Sequence, residues 1–253
     1  MTSNRTADTE TRVAVVTGGS RGIGRESARR LADDGFAVVI SSRHQAEADT
    51  AAKEISAAGG TALGMRADVS AEDEVVALFD TTESAYGRVD VVVHAAAYAG
   101  LGRTSTVAEL DMAVLDELYR TNIRGTFMVA QQAARRVRDG GAIITFSTSV
   151  VALAFPGYGA YSASKSAVEA LTLILAREMR GRDVTVNSLA PGPTATELFL
   201  EGKDEEHLAR LAAQAPLERL GRPEDIAGTV AFLAGPAGHW VNGQVIRVNG
   251  GII

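Results

Sequence analysis

Tyr161 and Lys165 have the residue types and the spacing of an acid/base pair. Both residues lie just ahead of an Ala-rich apolar run, 167–179, that predicts a buried helix. On a helix, residues four apart lie on one face. A phenol titrates near ~10, and a neighbouring ammonium lowers that pKa by favouring the phenolate. The pair is therefore suited to proton transfer near neutral pH, as reversible ketone reduction requires. Alone, this spacing more often marks a packed tyrosine beside a solvated lysine, so other features must decide.

A glycine-rich segment near the start of the chain predicts a phosphate-binding turn. An apolar run over 12–16 is typical of a strand, the glycine-rich segment 17–24 follows, and 25–34 has a helical pattern. Glycines let a backbone approach a pyrophosphate, and the first turn of a helix offers N–H groups and positive potential. The glycine spacing is Gly-x-x-x-Gly-x-Gly, not the commoner Gly-x-Gly-x-x-Gly. With a strand before it and a helix after it, nucleotide binding is favoured over an ordinary glycine-rich turn.

The residues after the second predicted strand, 37–40, favour NADP over NAD. An acidic residue at this place binds the ribose 2′-hydroxyl of NAD, whereas the 2′-phosphate of NADP is accommodated by arginine. Here Ser42 and Arg43 follow the strand, and the next carboxylate is Glu47. Arg21 in the glycine-rich turn adds a second cation on the same side, and a guanidinium binds phosphate through paired hydrogen bonds. The alternative is that both arginines are ordinary surface residues.

Alternating strand and helix patterns predict an α/β fold, a doubly wound, Rossmann-like parallel sheet of about seven strands with helices on both faces. No linker or repeat interrupts the pattern, so we expect one domain over 12–253 after a flexible tail over 1–11. A charged, weakly periodic segment at about 194–216 predicts a mobile helical lid. The predicted strands are 12–16, 37–40, 61–66, 89–93, 142–146, 184–189 and 244–248. The predicted helical segments are 25–34, 45–58, 75–86, 119–136, 167–179 and 223–234, and 106–118 is predicted as loop and helix.

Composition and charge exclude several classes of function. Of 253 residues, 46% are hydrophobic and 22% charged, and no apolar run reaches the ~20 residues that span a bilayer. There is no cysteine, so disulfides and thiolate chemistry are excluded. A net charge of −6 argues against a nucleic-acid or acidic-membrane partner, and the polar residues 1–11 lack the apolar core of a secretory signal. We expect a cytoplasmic enzyme with a small-molecule substrate and no metal, because the histidines lack ligand spacing.

Further polar residues fall where predicted elements end or where a polar group needs a partner. Asn122 lies in an apolar helical pattern, where an amide is costly unless it is hydrogen-bonded, so it is a candidate for binding ordered water or backbone. Asp68 follows the third strand, where it could contact an adenine edge, cap the helix that starts near 71, or do both. The hydroxyls of 147–149 follow the fifth strand, at its transition to a loop.

Together these features resemble the short-chain dehydrogenase/reductase family over residues 12–253. The order and spacing of the motifs are far more specific than any one motif. Within the family, the chain is most similar to 3-oxoacyl-[acyl carrier protein] reductases. The matching motifs are Thr17-Gly18-x-x-x-Gly22-x-Gly24, Asp68-Val69, Asn122, Tyr161-x-x-x-Lys165 and Pro191-Gly192.

The resemblance implies NADP-dependent reduction of a ketone to a secondary alcohol. Tyr161 would donate a proton to the carbonyl, and Lys165 would hold the ribose hydroxyls and lower the pKa of Tyr161. Asn122 would anchor a water that links Lys165 to solvent, and a further hydroxyl would polarise the carbonyl oxygen. The expected cofactor-binding residues are Gly18, Ser20, Arg21, Gly22, Ile23, Gly24, Ser42, Arg43, Asp68, Val69, Ala95, Ala96, Tyr161, Lys165, Pro191, Gly192, Thr194 and Thr196.

Two departures from the family pattern lie close to these residues. The usual Asn-Asn-Ala-Gly after the fourth strand is replaced by His94-Ala95-Ala96-Ala97. This removes an Asn side chain that ties neighbouring strands together, so we expect altered cofactor affinity, with His94 packed or capping. Near the C-terminus, the usual Val-Asp-Gly-Gly becomes a sequence with Asn249 in place of the Asp.

The polarising hydroxyl is the third departure. In the family, a serine usually lies thirteen residues before the tyrosine, and that position is Thr148 here, with Ser149 one residue closer. Spacing therefore favours Thr148, whereas residue type favours Ser149. We favour Ser149 by a small margin.

Alternative functions and the substrate stay open at this point. A sensor or scaffold of the same fold would bind NADP without turnover, but it would not need Asn122, Tyr161 and Lys165. Candidate substrates are 3-oxoacyl thioesters, cyclic or aromatic ketones and sugars, and apolar residues within 150–155 favour a hydrophobic one. By resemblance, we expect a homotetramer or dimer in which the C-terminal region contacts a partner. Trp240 could belong to that contact or to the core.

Overall fold

The computed structural model describes residues 11–99 and 104–253, which form one seven-stranded parallel sheet. The order across the sheet is β3-β2-β1-β4-β5-β6-β7, so the chain reverses its direction of progress between β1 and β4. In such sheets, ligands bind beyond the carboxyl ends of the strands at this reversal. The strands are β1 (Val13–Thr17), β2 (Ala37–Ser42), β3 (Thr61–Arg66), β4 (Val89–His94), β5 (Val137–Phe146), β6 (Thr185–Pro191) and β7 (Val245–Val248).

The helices lie on both faces of this sheet. Helices α1, α2 and α10 pack with one apolar cluster, and α3, α5 and α7 pack with another. The predicted doubly wound α/β fold is confirmed. The helices are α1 (Gly22–Asp33), α2 (Gln45–Ala57), α3 (Glu72–Tyr86), α4 (Met112–Leu118), α5 (Thr126–Arg136), α6 (Val150–Leu153), α7 (Gly159–Glu178), α8 (Glu197–Leu200), α9 (Glu205–Ala213) and α10 (Pro223–Ala234).

The strands supply side chains to both apolar clusters. In β1, Ala14 and Val16 belong to the cluster beneath α1 and α10, whereas Val15 belongs to the cluster beneath α3 and α5. Successive strand residues point to opposite faces, and a parallel sheet is covered on both faces. The central strands are therefore continuous runs of valine and isoleucine, and this pattern made them recognisable in the sequence.

Several boundaries differ from the sequence prediction; α7, for example, begins at Gly159 rather than at 167. Two other differences have identifiable reasons. β5 begins at Val137 rather than at 142, because buried Val137 pairs with Val89 before the register shifts. The intervening residues 138–140 are exposed and include Gly140 at a positive φ of 81°, so they do not follow a strand pattern. The run 119–136, predicted as one long helix, opens with a π-helical stretch, Tyr119–Gly125, before α5 begins.

The prediction that 167–179 forms a buried helix is wrong for one face of α7. Leu173 and Ile174 are 45% and 54% exposed, and Phe127 on neighbouring α5 is 51% exposed. Trp240 is 99% exposed, so it does not belong to the core. The exposed apolar residues of the described chain thus include these on α5 and α7 and, separately, Trp240.

The other predicted segments lie partly outside the regular core. The segment 194–216 contains α8 and α9, neither of which has a buried residue. Residues 1–10 of the predicted tail and residues 100–103 lie outside the described part of the chain. Across the described residues, no helix combines the length and apolar character needed to cross a membrane.

Candidate active site

The glycine-rich turn between β1 and α1 is tightly packed against its neighbours. Gly18 has a φ of +64°, and a Cβ there would lie 2.7 Å from the backbone of Ala96 beyond β4. A Cβ on Gly24 would overlap the carbonyl oxygen of Gly18. At the first residue of α1, Gly22 has a φ of +55° and faces Thr196 across the crevice. Arg21, the N-cap, makes no side-chain capping bond, so the first-turn N–H groups have no side-chain acceptor there. This backbone cradle fits a phosphate group.

Gly24→Ala is expected to destabilise the protein, because its Cβ has no space beside the Gly18 carbonyl. The loss should be about 1–3 kcal/mol, the usual cost of overpacking, and thermal unfolding measures it. Gly228→Ala is the matched control: a Cβ on this α10 glycine would meet nothing within 4 Å, so alanine should be neutral or slightly stabilising. Equal melting temperatures for the two variants would contradict the packing of the turn.

The end of β2 carries a carboxylate that sequence analysis did not assign to the site. Glu47, in the first turn of α2, accepts hydrogen bonds from the hydroxyls of Ser42 at 2.8 Å and Ser20 at 3.2 Å. The bond from Ser42 is the largest cause that lowers the pKa of Glu47. Arg21 and Arg43 are exposed, and neither side chain makes a hydrogen bond or ion pair with any described residue. The predicted residues thus surround one edge of the crevice, with Glu47 among them.

Asp68 and Val69 lie at the end of β3, but Asp68 does not cap α3. Its Oδ1 accepts from the backbone N–H and the hydroxyl of Ser70, at 2.9 Å and 2.8 Å. The α3 N-cap is Ala71, without a side-chain bond, so the capping role is wrong. Instead, Glu74 from the first turn reaches back to the backbone N–H of Asp68 at 2.7 Å. Val69 is buried in the core.

Thr17 ties β1 to the residues after β4, where the family's Asn side chain is missing. Its carbonyl accepts from the N–H of Ala95 at 3.1 Å, and its hydroxyl lies 3.4 Å from the N–H of Ala96. The backbone of Ala95 and Ala96 therefore stays next to Gly18 in the glycine-rich turn. Ala95 and Ala96 are among the residues predicted to contact a cofactor, and that contact stays a prediction.

His94, at the end of β4, bridges β1 and α5. Its Nδ1 lies 2.7 Å from the Thr17 hydroxyl, and its Nε2 lies 3.0 Å from the Thr126 hydroxyl. The Thr126 hydroxyl donates to the Asn122 carbonyl at 2.6 Å, so towards His94 it acts as the acceptor of the Nε2–H group. The other ring nitrogen, Nδ1, then carries no proton and accepts from the Thr17 hydroxyl. Burial, with a smaller effect of the nearby charge of Lys165, lowers the pKa of His94 to about 3. His94 is therefore neutral and buried, as expected for a packed residue.

Acid is expected to destabilise the wild-type protein partly through His94. An unfolded histidine titrates near ~6.5, while the pKa of folded His94 is lowered to about 3 by burial. Between these values only the unfolded chain binds the proton, so stability falls as the pH falls below 6.5. His94→Asn restores the usual family residue. Between neutral and mildly acid pH, its melting temperature should fall by less than that of the wild type. Parallel pH profiles for the two proteins would contradict a neutral buried His94.

Asn122 lies in the π-helical stretch and uses its whole side-chain amide in hydrogen bonds. It pairs with the backbone of Tyr98, accepting from N–H and donating to C=O, both at 2.8 Å. It also donates to the Ser164 hydroxyl at 3.0 Å, and Ser164 donates to the Tyr161 carbonyl at 2.8 Å. Asn122 therefore connects the segment after β4 to α7, and π-helical turns often occur at functional sites.

Tyr161 lies in the first turn of α7, with its phenol close to the side chain of Thr148. Burial raises the pKa of Tyr161 to about 12, and the nearby Thr148 side chain opposes this in part. Desolvation is the largest effect and Lys165 is not among the causes of this shift, so a lowering of the pKa of Tyr161 by Lys165 stays a prediction. At neutral pH, Tyr161 is a protonated phenol that can donate.

Lys165 is buried one turn further along α7. Its ammonium donates to the Phe146 carbonyl at the end of β5, at 2.8 Å. Burial lowers the pKa of Lys165 to about 8. The simpler interpretation of a solvated surface lysine is thus excluded.

Ser149 points away from Tyr161, unlike Thr148. Its buried hydroxyl donates to the Ala190 carbonyl on β6 at 3.1 Å and accepts from the Asn249 amide at 3.0 Å. This bond explains how Asn249 fits in place of Asp, since only an amide can donate to Ser149. Of the two candidate hydroxyls, only that of Thr148 is close enough to the Tyr161 phenol to affect its pKa.

The segment after β6 borders the glycine-rich turn. Pro191 ends β6, and a Cβ on Gly192 would lie 2.8 Å from Asn249. Thr194 is buried and donates to the Gly192 carbonyl at 2.9 Å, and Thr196 caps α8 by accepting from Phe199 at 3.2 Å. The predicted residues of this segment and those of the glycine-rich turn therefore line one crevice. In the described residues, no group of three or more acidic or histidine side chains is placed to hold a metal ion.

Comparison with protein families agrees with this geometry. The family described as "Enoyl-(Acyl carrier protein) reductase" matches residues 18–253. A "short-chain type dehydrogenase/reductase" of Picea abies is 45% identical over 252 residues, which are 95% of this chain and 92% of the relative.

Two further similar proteins are described with NADPH or NADP. An "NADPH-dependent aldehyde reductase-like protein, chloroplastic" of Arabidopsis thaliana is 40% identical, covering 96% of this chain and 94% of the relative. The crystal structure of a short-chain dehydrogenase from Burkholderia cenocepacia J2315 in complex with NADP superposes with a TM-score of 0.88 at 31% identity, covering 96% of this chain and 98% of that chain.

Proposed function

Because the chain belongs to the short-chain dehydrogenase/reductase family, we propose that it reduces a small hydrophobic carbonyl compound to an alcohol at the expense of NADPH. The observation that carries this proposal is the placement of the protonated Tyr161 phenol close to Thr148, with the buried Lys165 side chain one turn further along α7. Two neighbouring hydroxyls can both donate to one carbonyl oxygen. A protein that only senses or scaffolds would have no need for this pair.

Tyr161 is the general acid. Its pKa, raised to about 12 by burial, keeps the phenol protonated, so it can donate to the oxygen as negative charge develops there. Thr148 donates to the same oxygen and, unlike Ser149, has its hydroxyl at the tyrosine. Lys165 holds the ribose hydroxyls and, through its buried amine, supports proton return to Tyr161. Asn122 holds the segment after β4 against α7 and keeps Tyr161 in place through Ser164.

A nicotinamide cofactor, when bound, supplies the hydride. The glycine-rich turn fits its pyrophosphate, since a Cβ at Gly18 or Gly24 would fill the cradle and the α1 N-terminus has no side-chain cap. Arg21 and Arg43 are available for a 2′-phosphate, and this supports NADP over NAD. The NADP complex of the Burkholderia relative and the name of the Arabidopsis relative support the same preference. We propose that the other residues predicted from the sequence to bind the cofactor also contact it.

The substrate class follows from the residues next to Thr148. Val150, Val151 and Leu153 of α6 and Phe155 after it are half-buried, so they offer apolar surface beside the catalytic hydroxyls. We propose that 194–216 closes over this surface as a lid. The test is NADPH oxidation with a panel of aliphatic and aromatic aldehydes, ketones and an acetoacetyl thioester. Turnover with the thioester alone would assign a 3-oxoacyl substrate, and turnover with the aldehydes and ketones would assign a general carbonyl reductase.

We also propose a homotetramer, or at least a dimer, in the cytoplasm. The support for assembly is the apolar surface of α5 and α7, formed by Phe127, Leu173 and Ile174, together with the separate exposure of Trp240. Large exposed apolar patches mark contacts between proteins. Light scattering gives the mass of the assembly, and a monomer at micromolar concentration would exclude this part of the proposal.

A further inference from the structure

Glu47 occupies the place where the two serines at the nucleotide edge converge. The hydroxyls of Ser20 and Ser42 both donate to its Oε2 atom, at 3.2 Å and 2.8 Å. Ser20 belongs to the glycine-rich turn, and Ser42 is the last residue of β2. The N–H of Gly19 donates to the carbonyl of Ser41 at 3.1 Å, so the two segments are held together. A single carboxylate oxygen thus spans the gap between the turn and the strand end.

This gap is where the adenosine ribose carries its distinguishing group. In doubly wound folds, the residues at the end of β2 contact the 2′-hydroxyl of NAD or the 2′-phosphate of NADP. Serine hydroxyls can donate to a phosphate oxygen as well as to a carboxylate oxygen, but the same protons cannot serve both. A carboxylate suits a 2′-hydroxyl, which donates to it, and repels a 2′-phosphate.

The charges around Glu47 favour the ionised carboxylate. The bonds from Ser42 and Ser20 lower its pKa, and so, to a smaller extent, do the nearby side chains of His44 and Arg21. Arg43 acts instead on Asp68, whose pKa it helps to lower. Arg21 is thus near Glu47, and Arg43 is near Asp68.

We infer that Glu47 competes with the adenosine 2′-phosphate for Ser20 and Ser42, and so limits how strongly the protein prefers NADP over NAD. This inference rests on the proposed function only in placing a nicotinamide dinucleotide in the crevice. Binding of a 2′-phosphate requires the Glu47 side chain to rotate away from the serines. Binding of a 2′-hydroxyl does not.

Calorimetric titration with 2′,5′-ADP and with 5′-AMP tests the inference without any turnover. Glu47→Gln should strengthen 2′,5′-ADP binding by about tenfold, the effect of removing one negative charge a few ångströms from the phosphate. It should change 5′-AMP binding by less than about twofold. Glu54→Gln is the matched control, because Glu54 lies on the same helix and is paired with Arg25, away from both serines.

Three results would overturn the inference. They are an unchanged ratio of the two affinities in Glu47→Gln, an equal change in Glu54→Gln, and no binding of either nucleotide to any variant. Failure of the proposed function looks different. If the wild type binds 2′,5′-ADP and Glu47→Gln binds it more tightly, the inference stands even where no carbonyl compound is reduced.

Discussion

Tyr161→Phe is expected to lower kcat by about three powers of ten or more, while NADPH binding stays within about twofold of wild type. Phenylalanine keeps the ring but removes the hydroxyl that, in this proposal, donates to the carbonyl oxygen and that lies close to Thr148. Protonation of the carbonyl oxygen would then depend on water, which is not held in place and is a weaker acid than the phenol. Binding survives because the glycine-rich turn and the strand ends that hold the dinucleotide are unchanged.

Steady-state rates and NADPH fluorescence titration on the same preparation separate these two effects. The variant should also unfold at nearly the wild-type temperature, since only one hydroxyl is lost. Turnover within tenfold of wild type would remove Tyr161 from its role as general acid, whatever the substrate is.

Thr148→Val is expected to lower kcat by about a hundredfold to a thousandfold, the usual cost of losing one donor to a developing oxyanion. Valine has the shape of threonine without its hydroxyl, so the variant isolates the hydrogen bond. Thr148→Ser should keep most of the activity, because the donor remains.

Ser149→Ala is the matched comparison, one residue along the chain. Its hydroxyl bonds to Ala190 and Asn249 in a buried position, so its loss should lower the melting temperature and leave kcat within about tenfold. Loss of the Thr148 hydroxyl should therefore lower mainly kcat, and loss of the Ser149 hydroxyl should lower mainly the melting temperature. A large loss of kcat in Ser149→Ala, with little effect in Thr148→Val, would reverse the assignment.

The sequence predicts the sheet well because strands buried on both faces must be apolar throughout. Residues such as Val38, Val39 and Ile40 have no solvent-facing position to break the run. The beginning of β5 was missed because 138–140 are exposed while Val137 alone is buried. The apolar face of α7 was predicted as core because periodicity identifies an apolar surface but not what covers it.

The chemistry of the site is predictable where it depends on spacing. Tyr161 and Lys165 lie one turn apart on α7, as their separation requires. The choice between Thr148 and Ser149 is not predictable, because the strand ends there and α6 begins at Val150, so strand alternation no longer fixes side-chain direction. The pKa of Tyr161 depends on desolvation, which spacing does not reveal.

Glu47 shows a different limit of sequence analysis. Its distance from Ser42 along the chain gave it no role, since acidic residues are common in the first turn of a helix. The structure brings it back to the strand end, because α2 starts immediately after β2 and its first turn faces the glycine-rich turn. A preference for NADP inferred from Arg21 and Arg43 alone therefore overlooks an opposing charge.

The most direct test of the central claim is the fate of hydrogen from the cofactor. NADPH with deuterium at both hydrogen positions of nicotinamide C4 is incubated with the protein and the aldehyde and ketone panel, and the alcohol products are analysed by mass spectrometry. We predict alcohol with deuterium on the new carbinol carbon, formed by wild type and lost in Tyr161→Phe. Binding of NADPH with no deuterated alcohol from any carbonyl compound would contradict the account and favour a sensor of the same fold.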